Sequence, residues 1–229
     1  MDKKKILKVV LIILLIILAI VFIHTIRNYI IISSLQSKMQ EKSNLNNIYR
    51  KIQNNEDGKD RMINELYKKD EKIKFSTIMN GENGDSSHAF MQKSVSYAIG
   101  DTITRFVDYV ENGKEEKVMY EEKNSEHNET GTILVKYFDE DTLFINCIKT
   151  LIKSEKIDNK DCYVIISNDT NYSSGDYSKI YVNKETALPI KIVEPFDNGE
   201  YTTNITYEFG VVTDKDFEFP NVSEYKKAE

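Results

Sequence analysis

Lys72-Ile73-Lys74-Phe75-Ser76-Thr77-Ile78-Met79 is the stretch that decides how this chain folds. Ile73, Phe75, Thr77 and Met79 recur at every second position, with Lys72, Lys74 and Ser76 between them. A period of two sends the first set to one side of an extended chain and the second set to the other, which predicts a strand with one buried face. Before it, residues 61–68 are expected to pair with it through a turn at Lys69-Asp70-Glu71. After it, residues 80–87 are rich in Gly, Asn, Asp and Ser and read as a loop. Val95, Tyr97 and Ile99 mark the next strand. Residues 104–110 and 117–122 follow, joined through Asn112-Gly113, two residues that tolerate the positive φ of a tight hairpin.

The same alternation continues further along. Residues 124–131 are polar and expected on the surface. At 141–148, Asp141 caps a short helix carrying Leu143, Phe144, Cys147 and Ile148. Strands are predicted near 153–157, 161–167, 177–182, 188–193 and 201–209. In the last of these Tyr201, Thr203, Ile205, Tyr207 and Phe209 alternate with polar residues, and Asp197-Asn198-Gly199 before it is hairpin chemistry. Cys162-Tyr163-Val164-Ile165-Ile166 is apolar on both faces, so that strand needs cover on each side. Short strands at regular spacing make an antiparallel meander, and one or two helices must cover part of it. The fold class is therefore α+β.

The N-terminus reads differently. Residues 9–23 are fifteen uninterrupted apolar residues behind Lys3, Lys4, Lys5 and Lys8. Counted over 6–26, a helix here is about 31 Å long, the thickness of a bilayer's hydrocarbon core. Fifteen such residues favour insertion by roughly 5 kcal/mol. The lysines ahead of the run hold that end in the cytoplasm and place the rest outside, as a single-pass cell-membrane protein. A cleavable signal peptide is the other reading of the run. It calls for a shorter apolar core ending at small residues of the A-x-A kind, whereas His24-Thr25-Ile26-Arg27-Asn28-Tyr29 follows here. From 33 to 55 the spacing turns helical, with Leu35 and Met39 on one stripe and then Leu45, Ile48, Tyr49 and Ile52 at steps of three and four, an amphipathic helix stopped by the polar residues up to Gly58.

Composition excludes several functions. The chain carries 31 basic and 37 acidic residues, net −6, and residues 1–27 hold five basic groups against Asp2, so the remainder sits at about −10. Phosphate backbones repel so acidic a body, and nucleic acid is not an expected partner. His24, His88 and His127 are scattered, with no spacing suited to a metal, and no cofactor-binding motif occurs. Asp139, Glu140 and Asp141 read as a charged turn and helix cap, since they lack the spaced ligands of a calcium loop. No nucleophile elbow, zinc-protease or phosphate-loop pattern occurs, and the chain is not expected to be an enzyme. Cys147 and Cys162 are the two thiols that a disulfide would join in an outward-facing domain. Two buried small hydrophobes is the other reading, and spacing does not choose between them.

Asp161-Cys162-Tyr163-Val164-Ile165, then Tyr181-Val182-Asn183-Lys184-Glu185-Thr186-Ala187-Leu188-Pro189, then Tyr207-Glu208-Phe209 leading to Phe217-Glu218-Phe219-Pro220, follow one another in order. This succession resembles the end of bacterial LolA-like and LolB-like domains, the lipoprotein-carrier and RseB-type fold. The resemblance implies a curved antiparallel sheet forming an incomplete barrel, helices as a lid, and an apolar concavity for an acyl chain. Phe75, Ile190, Ile192, Ile205 and Tyr207 are the residues expected to line it, and they serve equally well as plain core. Carriers of this family are soluble shuttles, whereas this chain is expected to stay on its own helix. The expected organisation is a basic tip and transmembrane anchor over 1–32, an amphipathic helix over 33–57, a β-rich extracytoplasmic domain over 58–222 and a polar tail over 223–229. Two functions fit it: a tethered module holding a lipid or other apolar ligand, or a structural or sensory module that binds another envelope protein.

Overall fold

The computed structural model describes residues 3–56, 59–82, 89–111, 114–123, 143–168, 177–196 and 199–228. The fold is α+β, with open antiparallel sheet that does not close into a barrel. It divides into two compact units, Met1–Gln40 with Lys136–Leu188, and Glu41–Val135 with Pro189–Glu229.

In the first unit, helix α1 (Lys3–Ser43) runs unbroken for 41 residues, about 62 Å at 1.5 Å per residue. Its large apolar side chains from Ile6 to Ile23 are 40–71% exposed, and the helix is long and apolar enough to cross a membrane. Beyond them the pattern changes, because Thr25, Asn28, Ile32, Leu35 and Met39 recur every three or four residues and all are buried. Helix α2 (Leu143–Lys149) precedes strands β7 (Leu151–Ile157), β8 (Lys160–Asn168) and β9 (Tyr177–Asn183), with β8 between the other two. Val164 and Ile165 point to opposite faces of β8 and both are fully buried, so this strand is covered on each side. Asp158 and Asn159, with φ of 49° and 62°, make the tight β7–β8 turn.

In the second unit, β1 (Asn47–Glu56), β2 (Lys59–Lys69), β3 (Lys72–Glu82), β4 (Ala89–Ile99), β5 (Thr102–Glu111) and β6 (Lys114–Lys123) form an up-and-down meander. Strand β11 (Gly199–Phe209) returns alongside β1 and pairs with β10 (Pro189–Phe196). Two-residue turns set the registers. Asp70 supplies a φ of 54° between β2 and β3, and Gly100 a φ of 59° between β4 and β5. Glu111 pairs with Lys114 across Asn112-Gly113, which, like the loop centred on residues 83–88, lies outside the described residues.

One element differs from the sequence reading. The helix expected over 33–55 ends at Ser43, and Ile48, Tyr49 and Ile52 belong to strand β1. The cause is tertiary. Asn47 leaves the helix because its side chain accepts from the Val212 amide at 2.9 Å and donates to the Val212 carbonyl at 2.8 Å. Beyond it β1 has a partner on each side, and Ile and Tyr satisfy a sheet as readily as a helix stripe. Arg50, buried between Ile48 and Ile52, hides the period of two from hydropathy alone.

Candidate functional site

The five residues expected to line a concavity all belong to the second unit and share one face of its sheet. Phe75 on β3 stands opposite Leu66 on β2, Leu66 opposite Arg50 on β1, and Arg50 opposite Tyr207 on β11, a row about 14 Å long at the usual strand spacing. Ile205 lies two residues along β11 from Tyr207 and so on the same face, opposite Ile52. Ile192 stands opposite Thr203, again on that face, and alternation puts Ile190 beside it. Ile205 is buried, while Phe75, Ile190, Ile192 and Tyr207 are half-buried.

Arg50 sits in the middle of this apolar row and is only 4% exposed, a placement hydropathy does not foresee. Burial pulls its guanidinium pKa down, and the Tyr207 phenol opposes that shift. It nevertheless stays a cation at neutral pH, because arginine does not deprotonate in proteins. The face therefore combines aliphatic and aromatic surface with a buried positive charge at Arg50.

The opposite face carries a cavity of 220 Å³, walled by Glu65, Lys74, Ser76, Lys93 and Asp108 among others, with Pro220 and Tyr225 also lining it. None of the five expected residues lines it. The chain after β11 supplies part of its wall. Lys69 and Lys72 hold Asp214 at 2.7 and 3.1 Å, Lys74 donates to the Asp216 carbonyl at 2.9 Å, and Tyr97 Oη donates to the Glu218 carbonyl at 3.2 Å. Phe106 then packs on Tyr97, Phe219 and Tyr225 with ring centroids 4.9–5.9 Å apart. Residues 223–229, expected as a polar tail, are bound in part: β12 (Lys226–Lys227) runs parallel to β6, Lys117 pairs with Glu224 at 3.0 Å, and Lys227 with Glu121 at 2.8 Å.

Electrostatics in this cavity follow from burial. Desolvation pulls the Lys74 ammonium pKa down against the attraction of Asp216 and Glu65. Burial, with Glu65 adding to it, pushes Tyr67 up to about 12, and burial with a hydrogen bond to Asp108 does the same for Tyr225. Tyr49, which donates to Glu65 at 2.7 Å, is driven well above the usual phenol range, first by burial and then by that carboxylate. These phenols stay protonated and serve as donors.

In the first unit Cys147 and Cys162 are separate free thiols rather than a bridge, both fully buried, and burial pushes each thiol's pKa up. Asn28 is buried too. Its amide donates to the Thr150 carbonyl at 2.7 Å and the Cys147 carbonyl at 3.2 Å, so α1 caps the last turn of α2. His24 Nε2 lies 2.9 Å from the same Thr150 carbonyl. His24 Nε2 also lies 3.0 Å from the Asn28 amide nitrogen, and because a carbonyl only accepts, the tautomer that bonds Thr150 is the one with its hydrogen on Nε2. A second recess, of 430 Å³, is polar and lined by Asn159, Lys160, Asp161, Asn183, Lys184 and Glu185. Among the described residues no group of three His, Cys, Asp or Glu is placed to hold a metal ion. His88, His127, Asp139, Glu140 and Asp141 lie outside the described residues.

No protein-family model matches the chain, and no curated protein does. Among solved structures it is similar to a DUF1329 family protein from Desulfovibrio piger, at 12% identity over 85% of this chain and 97% of that one, with a TM-score of 0.28. It is similar also to MucB, at 11% identity over 82% of this chain and 62% of that one, with a TM-score of 0.37. A third match is the MucA/MucB complex of Pseudomonas aeruginosa, at 10% identity, 82% and 60% coverage and a TM-score of 0.36.

Proposed function

We propose that this protein is a non-catalytic module of the cell envelope, held to the membrane by the first part of α1, with its body outside. Its apolar sheet face, bearing Phe75, Ile190, Ile192, Ile205 and Tyr207, takes up a lipid or another apolar ligand. The observation that carries the tether is the exposed apolar surface of α1: water does not tolerate sixteen large apolar side chains at 40–71% exposure on one isolated helix, and a bilayer does. Support for the ligand comes from the shared face and half-burial of four of the five residues, which leaves apolar area for a guest to cover. An open antiparallel sheet behind an apolar N-terminal helix also suits the LolA-like and RseB-like architecture.

The test is native mass spectrometry of the full chain released from membranes in a mild detergent. A co-purified lipid that is lost when Ile205→Asp places a charge on the face supports the reading. Repeated recovery of the bare chain at neutral pH refutes the ligand and leaves the protein-interaction module.

A further inference from the structure

We propose that α2 is a second membrane contact, with Phe144, Ile145, Ile148 and Leu151 seated in the headgroup–acyl boundary of the bilayer that α1 crosses. This rests on the reading of α1 as an anchor. Helix α2 and the residues after it have two unlike faces. Leu143, Cys147 and Thr150, spaced by four and three, are buried, whereas Phe144, Ile145, Ile148 and Leu151 are 48%, 61%, 47% and 44% exposed. A water-facing turn of helix would carry polar residues at those positions, and a cluster of exposed apolar side chains marks a surface that meets something apolar.

Its place along α1 says what that is. The Cys147 and Thr150 carbonyls are held by Asn28, the Thr150 carbonyl also by His24, and the Tyr29 ring meets Phe144 edge-on at 6.0 Å between centroids. Asn28 is five residues past Ile23, the end of the unbroken apolar run, and so about 7.5 Å further along the helix axis. Headgroups occupy a layer of that thickness on each side of the hydrocarbon core. Ile26, Tyr29 and Ile30, 36%, 41% and 61% exposed, continue the apolar surface of α1 through the same level. Exposed Lys149 and Lys153 beside the cluster suit anionic headgroups. The occupant is therefore the lipid surface, continuous with the one around α1. Two contacts fix the orientation of this unit on the bilayer where a single helix would leave it free to swivel.

The chain has no tryptophan, so one introduced tryptophan reports without background. The full chain is reconstituted in phosphatidylcholine–phosphatidylglycerol vesicles containing acyl-brominated lipid, as the variants Ile145→Trp, Ile148→Trp, Phe22→Trp in the anchor and Lys156→Trp near the other end of β7. Ile145→Trp and Ile148→Trp are expected to emit to the blue and lose about half their fluorescence to the brominated chains, as shallowly inserted side chains do. Phe22→Trp is expected to be quenched and Lys156→Trp to be unaffected. Quenching of Phe22→Trp with both α2 variants behaving like Lys156→Trp overturns the proposal and leaves the anchor standing. Loss of quenching at Phe22 removes the anchor reading and this inference with it. Equal quenching at Lys156 overturns the proposal as well, because the contact would then not belong to α2.

Discussion

Asn28→Leu removes the side chain that joins α1 to α2, and its cost can be worked from the contacts. Asn28 is fully buried and its amide caps the Cys147 carbonyl in the last turn of α2 and the Thr150 carbonyl just past it. Thr150 keeps a donor in His24, so the carbonyl left bare is that of Cys147, at about 1–3 kcal/mol for a buried unsatisfied group. Part of this is returned, because Asn28 Oδ1 is itself buried with no hydrogen-bond partner among the described residues and leucine removes it. The net expectation is a loss of about 1 kcal/mol in local stability, or about fivefold faster hydrogen exchange of the α2 amides. Exchange measured by mass spectrometry on the reconstituted chain reads this directly, and β1–β6 serve as the internal reference. Exchange in α2 within twofold of the parent would refute the capping role.

Phe106 is 2% exposed and packs against three other rings, so Phe106→Ala is expected to cost about 3–5 kcal/mol of unfolding free energy by urea titration, with the C-terminal residues exchanging freely. Tyr67 and Tyr225 are expected to stay protonated when ordinary phenols ionise near pH 10 and to titrate at about 12. Because the folded values are raised, their stabilising contribution is complete below about pH 10 and is lost as pH climbs towards 12, which ultraviolet difference spectra and alkaline unfolding check together. Cys147 and Cys162 are expected to be silent towards a thiol reagent in the native chain and to give two equivalents on unfolding.

The parts of the fold legible in the sequence are those governed by neighbours along the chain. Ile73, Phe75, Thr77 and Met79 alternate, and Lys69-Asp70-Glu71 turns, within one hairpin, so β2 and β3 could be read without knowing anything else. The shared face of Ile205 and Tyr207 follows from the same alternation. Distant contacts were not legible. Ile48 and Tyr49 are ambiguous until β2 and β11 flank them, and Asn47 chooses the sheet through Val212, 165 residues away. Tyr225 sits in the stretch expected as a polar tail, yet its partner Phe106, and Lys117 that pairs with the neighbouring Glu224, lie more than a hundred residues back. Asn28 likewise gains its meaning only from α2, and Arg50 from the strands on either side of it.

The most direct test of the account is to follow the two ends of the chain in cells, with an epitope tag at the C-terminus and protease added from outside. An uncleaved helix with its body outward predicts that the tag is digested from the external side while residues 3–8 stay in carbonate-washed membranes on an intact helix. A tag protected in intact cells, or a mature protein that begins beyond Tyr29, would contradict it.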